Sequence, residues 1–141
     1  MAMSWLLDTN VVAELRKGER CDRHVDAWFE NVADEDLFLS VIVVGEIRGG
    51  IEALRRRDPP AAEALDAWLA RLVSRHTERI LIVDQAVAEE WGRIDARTPL
   101  PDADGLLAAT AQVHGLTLVT RNTKDFARTG VRLENPFRAK P

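Results

Sequence analysis

The stretch WLLDTN, residues 5–10, runs three apolar side chains straight into a carboxylate. Trp5, Leu6 and Leu7 read as a buried strand that closes at Asp8. An acid at that position has two explanations. It caps the helix that follows, a place Asp favours, or it holds something at a strand end. The fold around it bears on the choice.

Outward from this stretch, short apolar runs alternate with helical periodicity. Asn10 to Arg16 reads as a helix ending near Gly18. Asp22 is a plausible cap for a helix whose stripe is Val25, Trp28, Phe29 and Val32, at i, i+3, i+4 and i+7. Leu37 to Ser40 is a second strand. A helix from about Val41 runs toward Arg57 and stops before Pro59-Pro60. Leu65, Trp68, Leu69 and Leu72 repeat the helical stripe. Ile80 to Val83 is a strand, with Asp84 to cap a helix carrying Val87, Trp91 and Ile94. Asp102 to His114 is a further helix, ended by Gly115. Leu116 to Thr120 is a strand, and Val131 to Leu133 a last edge strand before Pro136. Strands separated by helices predict an α/β fold: a mostly parallel sheet flanked by helices on both faces. No repeat or linker interrupts it, so residues 1–141 are expected to form a single domain.

Composition bounds the function. Of 141 residues, 46% are hydrophobic and 30% charged, enough apolar material for a core. There is no apolar run of membrane-spanning length and no evident signal peptide, so a cytoplasmic protein is expected. Cys21 is the only cysteine, which rules out an internal disulfide and a tetracysteine zinc site. His24, His76 and His114 have no second His at metal-ligand spacing. A formal net charge of −4 argues against gripping nucleic acid by bulk charge. It leaves room for an enzyme that meets phosphates through a bound cation.

In parallel sheets ligands sit beyond the carboxyl ends of the strands. Asp8, Ser40 and Thr120-Arg121-Asn122 all fall at such ends. Two more carboxylates lie in apolar surroundings. VIVVGEIRGG, residues 41–50, carries Glu46 within two turns of Ser40, the N-cap; PDADGLLAATA, residues 101–111, carries Asp102 and Asp104 at a helix start. Asp102 is better placed as a cap or first-turn residue. Singly, each acid has a bland reading as a cap or surface charge. Gathered without a cation they would repel, and one would take up a proton. A hard divalent ion takes such oxygen ligands, usually one or two carboxylates with water and phosphate. Asp8, Glu46 and Asp104 suit that chemistry.

LLDTN, GEIRGG, ADGLLAATA and LVTRNTKDF, in this order, resemble a PIN domain, and more narrowly the VapC-type toxins of bacterial toxin–antitoxin pairs, including the FitB-like branch. The resemblance runs from residue 6 to about residue 137. It implies a three-layer α/β/α fold and a metal-dependent endoribonuclease using Mg²⁺, with Mn²⁺ as a substitute. Carried over, the metal ligands are Asp8, Glu46 and Asp104, with Thr9 and Asn10 matching the polar residues after the first acid. The fourth acidic place departs from the pattern, because this chain has Asn122 there. Asn122 takes the fourth catalytic position, or Asp125, three residues on, supplies it. The resemblance also implies an RNA substrate, a homodimer and a VapB-type antitoxin. The alternative is a PIN-like scaffold that binds RNA or a partner without cutting. A phosphoacceptor signalling domain fits poorly, since no acidic pair lies beside Asp8 and no Lys stands at Thr120-Arg121-Asn122.

Arg16, Arg48, Arg55, Arg56, Arg57 and Arg121 are candidate phosphate contacts. Arg55 to Arg57 read equally as a solvated helix end. Gly49-Gly50 costs roughly 1 kcal/mol per glycine inside a helix. It marks either a close helix contact, at a dimer or antitoxin surface, or tight packing inside the monomer.

Overall fold

The computed structural model describes residues 3–138. Its strands are β1 (Trp5–Leu7), β2 (Leu37–Ser40), β3 (Ile80–Leu81), β4 (Thr117–Val119) and β5 (Leu133–Glu134). Its helices are α1 (Thr9–Leu15), α2 (Arg23–Glu30), α3 (Val41–Arg55), α4 (Pro59–Arg75), α5 (Gln85–Arg97), α6 (Asp102–His114) and α7 (Thr123–Phe126). All strand pairings are parallel and the order is β3-β2-β1-β4-β5. Leu6 pairs with Phe38 on one side and Leu118 on the other. Leu6, Leu39 and Leu118 have no exposed surface, as expected for strands covered on both faces. The arrangement is the expected three-layer α/β/α fold.

The order of strands locates the functional edge. From β1 the chain steps outward through β2 to β3, then crosses to the opposite side for β4 and β5. The reversal falls between β1 and β4. Ligands in such sheets bind beyond the carboxyl ends of the strands at that point, which here means beyond Leu7 and Val119.

Helix starts follow side-chain chemistry. Asp22 accepts from the N–H groups of His24 (2.8 Å) and Val25 (3.2 Å), Ser40 from Ile42 (3.0 Å), Asp58 from Ala61 (3.2 Å) and Asp84 from Val87 (3.0 Å). Pro59 and Pro60 open α4, where a missing N–H costs nothing. Gly115 ends α6 at φ 65°, a conformation that favours glycine. The strand expected at 80–83 is shorter, and the last strand lies two residues later than expected. Val131 is buried, but its N–H donates to Thr129 Oγ1 in a turn, so regular pairing begins only at Leu133.

Trp28 meets Trp5 and Phe29 edge-on, at 5.1 and 4.9 Å, and packs α2 on the core. α3 and α4 are clasped by ions. Arg48 binds Glu52 (3.1 Å) and Asp66 (3.0 Å), and Arg55 binds Glu52 (3.0 Å), Asp66 (2.9 Å) and Glu63. These two candidate phosphate contacts are thereby engaged within the protein. Gly49 and Gly50 are exposed, with nothing within 4 Å of where a Cβ would stand. Tight packing inside the monomer therefore does not account for them.

Candidate active site

Asp8 caps the helix that follows it, and its second oxygen faces the end of β4. Oδ1 accepts from the Thr9 N–H at 2.7 Å and so caps α1. Oδ2 accepts from the Thr120 hydroxyl at 2.7 Å and from Asn10 Nδ2 at 3.3 Å. Asp8 is only 6% exposed. Burial pushes its pKa up and the nearby Glu46 charge adds to this, while the bonds from Thr120, Thr9 and Asn10 act in the opposite direction. The net effect is a raised value.

Glu46 stands on α3, exposed, and accepts from Thr9 Oγ1 at 2.7 Å. Ser40 fixes the start of α3 and thereby brings Glu46 beside the end of β1. Asp104 lies in the first turn of α6, half-buried. Among the described residues it has no hydrogen-bond or ion-pair partner. Its carboxyl is raised first by burial and then by the charges of Asp8, Glu46 and Asp125. Three of the expected acids therefore share one field, and Asp125 joins it from α7.

Asn122 is placed differently. It is exposed at the head of α7, its N–H donates to Thr120 Oγ1 at 3.0 Å, and its side chain does not cap the helix. The charge that reaches Asp104 from this loop is that of Asp125.

Sequence reading gave Thr120 no role of its own. It is fully buried, donates to Asp8, and accepts from Asn10 Nδ2 (3.4 Å) and from the Asn122 N–H. Its only signal was its position at a strand end. Asn10 also accepts from the Arg121 N–H at 3.1 Å, so the loops after β1 and β4 are tied together. Gly105, next to Asp104, was missed as well. A Cβ there would stand 2.8 Å from Trp91 Cδ1 and 2.9 Å from Nε1, so the α6 first turn rests directly on the indole.

The donor set consists of hard oxygens, and the charges of Asp8, Glu46 and Asp125 raise the Asp104 carboxyl, which finds no cation among the described residues. That chemistry fits a hard divalent ion. As placed, no three His, Cys, Asp or Glu side chains among the described residues form a ready-made chelate.

Comparison with known proteins gives the site a family. The PIN domain model matches residues 5–131. The toxin FitB of Neisseria gonorrhoeae is 36% identical, over 94% of this chain and 97% of its own length. The VapC ribonuclease Y4jK of Sinorhizobium fredii is 34% identical, over 94% and 96%. Among solved structures, a toxin–antitoxin complex from Klebsiella pneumoniae superposes with a TM-score of 0.68 at 28% identity, covering 96% of this chain and all of that one. The chain belongs to the PIN domain family, among the relatives of VapC and FitB.

Proposed function

We propose that this chain is a metal-dependent endoribonuclease, the toxin of a VapBC-type toxin–antitoxin pair. The observation that carries this reading is the convergence of Asp8, Glu46 and Asp104 at the β1–β4 reversal, where the Glu46 charge bears on Asp8 and both bear on Asp104. The relatives' activity and the toxin–antitoxin complex support it. Asp8 and Asp104 would hold Mg²⁺ or Mn²⁺, with Glu46 as a ligand or acting through water. Such an ion polarises a phosphoryl oxygen and lowers the pKa of a bound water.

The protein's own groups supply the rest. Thr120 and Asn10 hold the Asp8 carboxylate in one orientation. Thr9 does the same for Glu46, leaving Oε2 free of that bond to take a proton from the attacking water. Asp125 supplies the negative charge that Asn122 lacks. The partners are RNA, a VapB-type antitoxin and a second copy of the chain, all carried by the likeness to the family. No described helix is long and apolar enough to cross a membrane.

The test is RNA cleavage by antitoxin-free protein with Mg²⁺, with Mn²⁺ and with EDTA, beside Asp8→Asn and Asp104→Asn. Cleavage that requires metal and is lost in both variants is expected. Folded protein that binds RNA without ever cutting it would move the scaffold reading to the front.

A further inference from the structure

Arg121 is exposed, and its guanidinium sits over the Phe137 ring at 4.0 Å from the centroid. Its backbone is fastened on both sides. The N–H donates to Asn10 Oδ1 (3.1 Å), and the carbonyl accepts from Asn135 Nδ2 (3.5 Å). Asn135 Oδ1 in turn accepts from the Phe137 N–H at 2.9 Å, which closes the turn that presents the ring. Asn10 also binds Asp8. The platform is therefore geared to the acidic site through one side chain.

Its charge falls to one side of the acids. The Asp22 carboxyl is held below its ordinary range, first by the Val25 N–H and then by the His24 N–H, with the His24 and Arg121 charges adding to this. Asp104 feels burial and three like charges without a cation to offset them. Arg121 thus does not offset the like charges at Asp104, and it makes no ion pair among the described residues. An arginine stacked on an aromatic loses less freedom on binding a phosphate, and its fork matches phosphate oxygens.

We propose that Arg121, preorganised on Phe137, binds a phosphate of the RNA strand flanking the scissile bond. The proposal rests on the nuclease reading above and adds the contact that positions the strand. It makes Phe137 a positioning residue acting through Arg121.

The experiment measures binding of a short fluorescein-labelled single-stranded RNA of mixed sequence to full-length protein. It uses the Asp104→Asn background, so the strand stays intact, and a KCl series. Arg121→Ala is expected to weaken binding on the order of tenfold and to make the log–log salt slope shallower by about 0.7, one phosphate contact on a single strand. Phe137→Leu keeps an apolar side chain and the arginine charge. It is expected to weaken binding roughly two- to fivefold with the slope unchanged. Arg121→Lys should keep the slope and recover part of the affinity. Mn²⁺ binding, followed in the Asp104-intact protein, should stay at the parental value in all three variants, and the melting temperature in both Arg121 variants; Phe137 also packs on the core, so Phe137→Leu is compared well below its own melting temperature.

An unchanged slope and affinity in Arg121→Ala overturns the phosphate contact. Parental affinity in Phe137→Leu overturns the role of the ring. If Arg121→Ala leaves RNA binding intact and instead releases the antitoxin, the platform faces a protein and the proposal fails. Wild-type cleavage with Mg²⁺ is run alongside. No cleavage sinks the nuclease reading, whereas cleavage with an unchanged slope sinks only this one.

Discussion

Thr120 and Asp8 are joined by a buried 2.7 Å hydrogen bond between residues 112 apart in the chain. The bond favours the ionised carboxylate against the burial that disfavours it. Thr120→Val removes the donor and keeps the shape, so the Asp8 carboxyl rises further. Ionised Asp8 is then reached only at higher pH. The acid limb of kcat/KM against pH should move to higher pH, and Thr120→Ser should restore it. A limb that stays in place would show that Asp8 ionisation does not govern the rate.

Asp104 should weaken the fold that carries it. Its carboxyl is raised in the folded state, so the native protein holds that proton more tightly than the unfolded chain does. The resulting cost is absent below the ordinary aspartate range. It grows as pH rises through the raised value and is constant above it. In EDTA, Asp104→Asn should therefore melt above wild type at neutral pH, and the gap should close in acid. Equal melting curves at neutral pH would contradict the crowding of like charges.

Gly105 should not tolerate a methyl group. A Cβ would meet the Trp91 indole at 2.8 Å, and overpacking of this kind costs about 1–3 kcal/mol. Thermal denaturation of Gly105→Ala is expected to show that loss. Trp91→Leu should be less harmful in the Gly105→Ala background than in wild type, a coupling that a double-mutant cycle reads directly. Additive effects would mean that the contact relaxes at no cost.

Glu14 fastens the turn between α1 and α2. It is 7% exposed, accepts from Lys17 Nζ at 2.9 Å and takes the Asp22 N–H at 2.8 Å. The Lys17 bond first, and the Asp22 N–H second, hold its carboxyl below the ordinary glutamate range. A lowered carboxyl contributes stability above its unfolded pKa and loses it as pH falls through the folded value. Glu14→Ala should cost about 1–3 kcal/mol at neutral pH, the range for losing hydrogen bonds to a charged group. The difference from wild type should shrink as pH drops below the ordinary glutamate range. A deficit independent of pH would assign the effect to packing alone.

What the sequence disclosed followed the range of the interaction. Asp8, Asp22, Ser40, Asp58 and Asp84 act within a few residues, and four of these five caps were legible from residue type and position. Asp58 is masked by Pro59-Pro60, which reads as a helix stop although it forms the first turn of α4. The alternation of apolar runs gave the parallel sheet, since the inner strands β1, β2 and β4 are covered on both faces. Thr120 and Phe137 were harder to see. Their partners Asp8 and Arg121 lie far along the chain, and no local pattern reports a cross-strand hydroxyl or a ring under a guanidinium. The last strand was displaced because Val131 is apolar for burial but spends its N–H on a turn. Gly49 and Gly50 carry no side chain whose polarity could tell an inward face from an outward one. Likeness to a family put Asp8, Glu46 and Asp104 together before the topology did, and it could not choose between Asn122 and Asp125.

The central place of β1 has a consequence for synthesis. Its right-hand neighbour, β4, is made more than a hundred residues later, and Asp8 is held by a hydroxyl at the end of that late strand. Until β4 emerges from the ribosome and inserts, Asp8 lacks its anchor and Asp104 has no fixed place beside it. A growing chain that has not yet made β4 therefore carries these acids without the strand that gathers them.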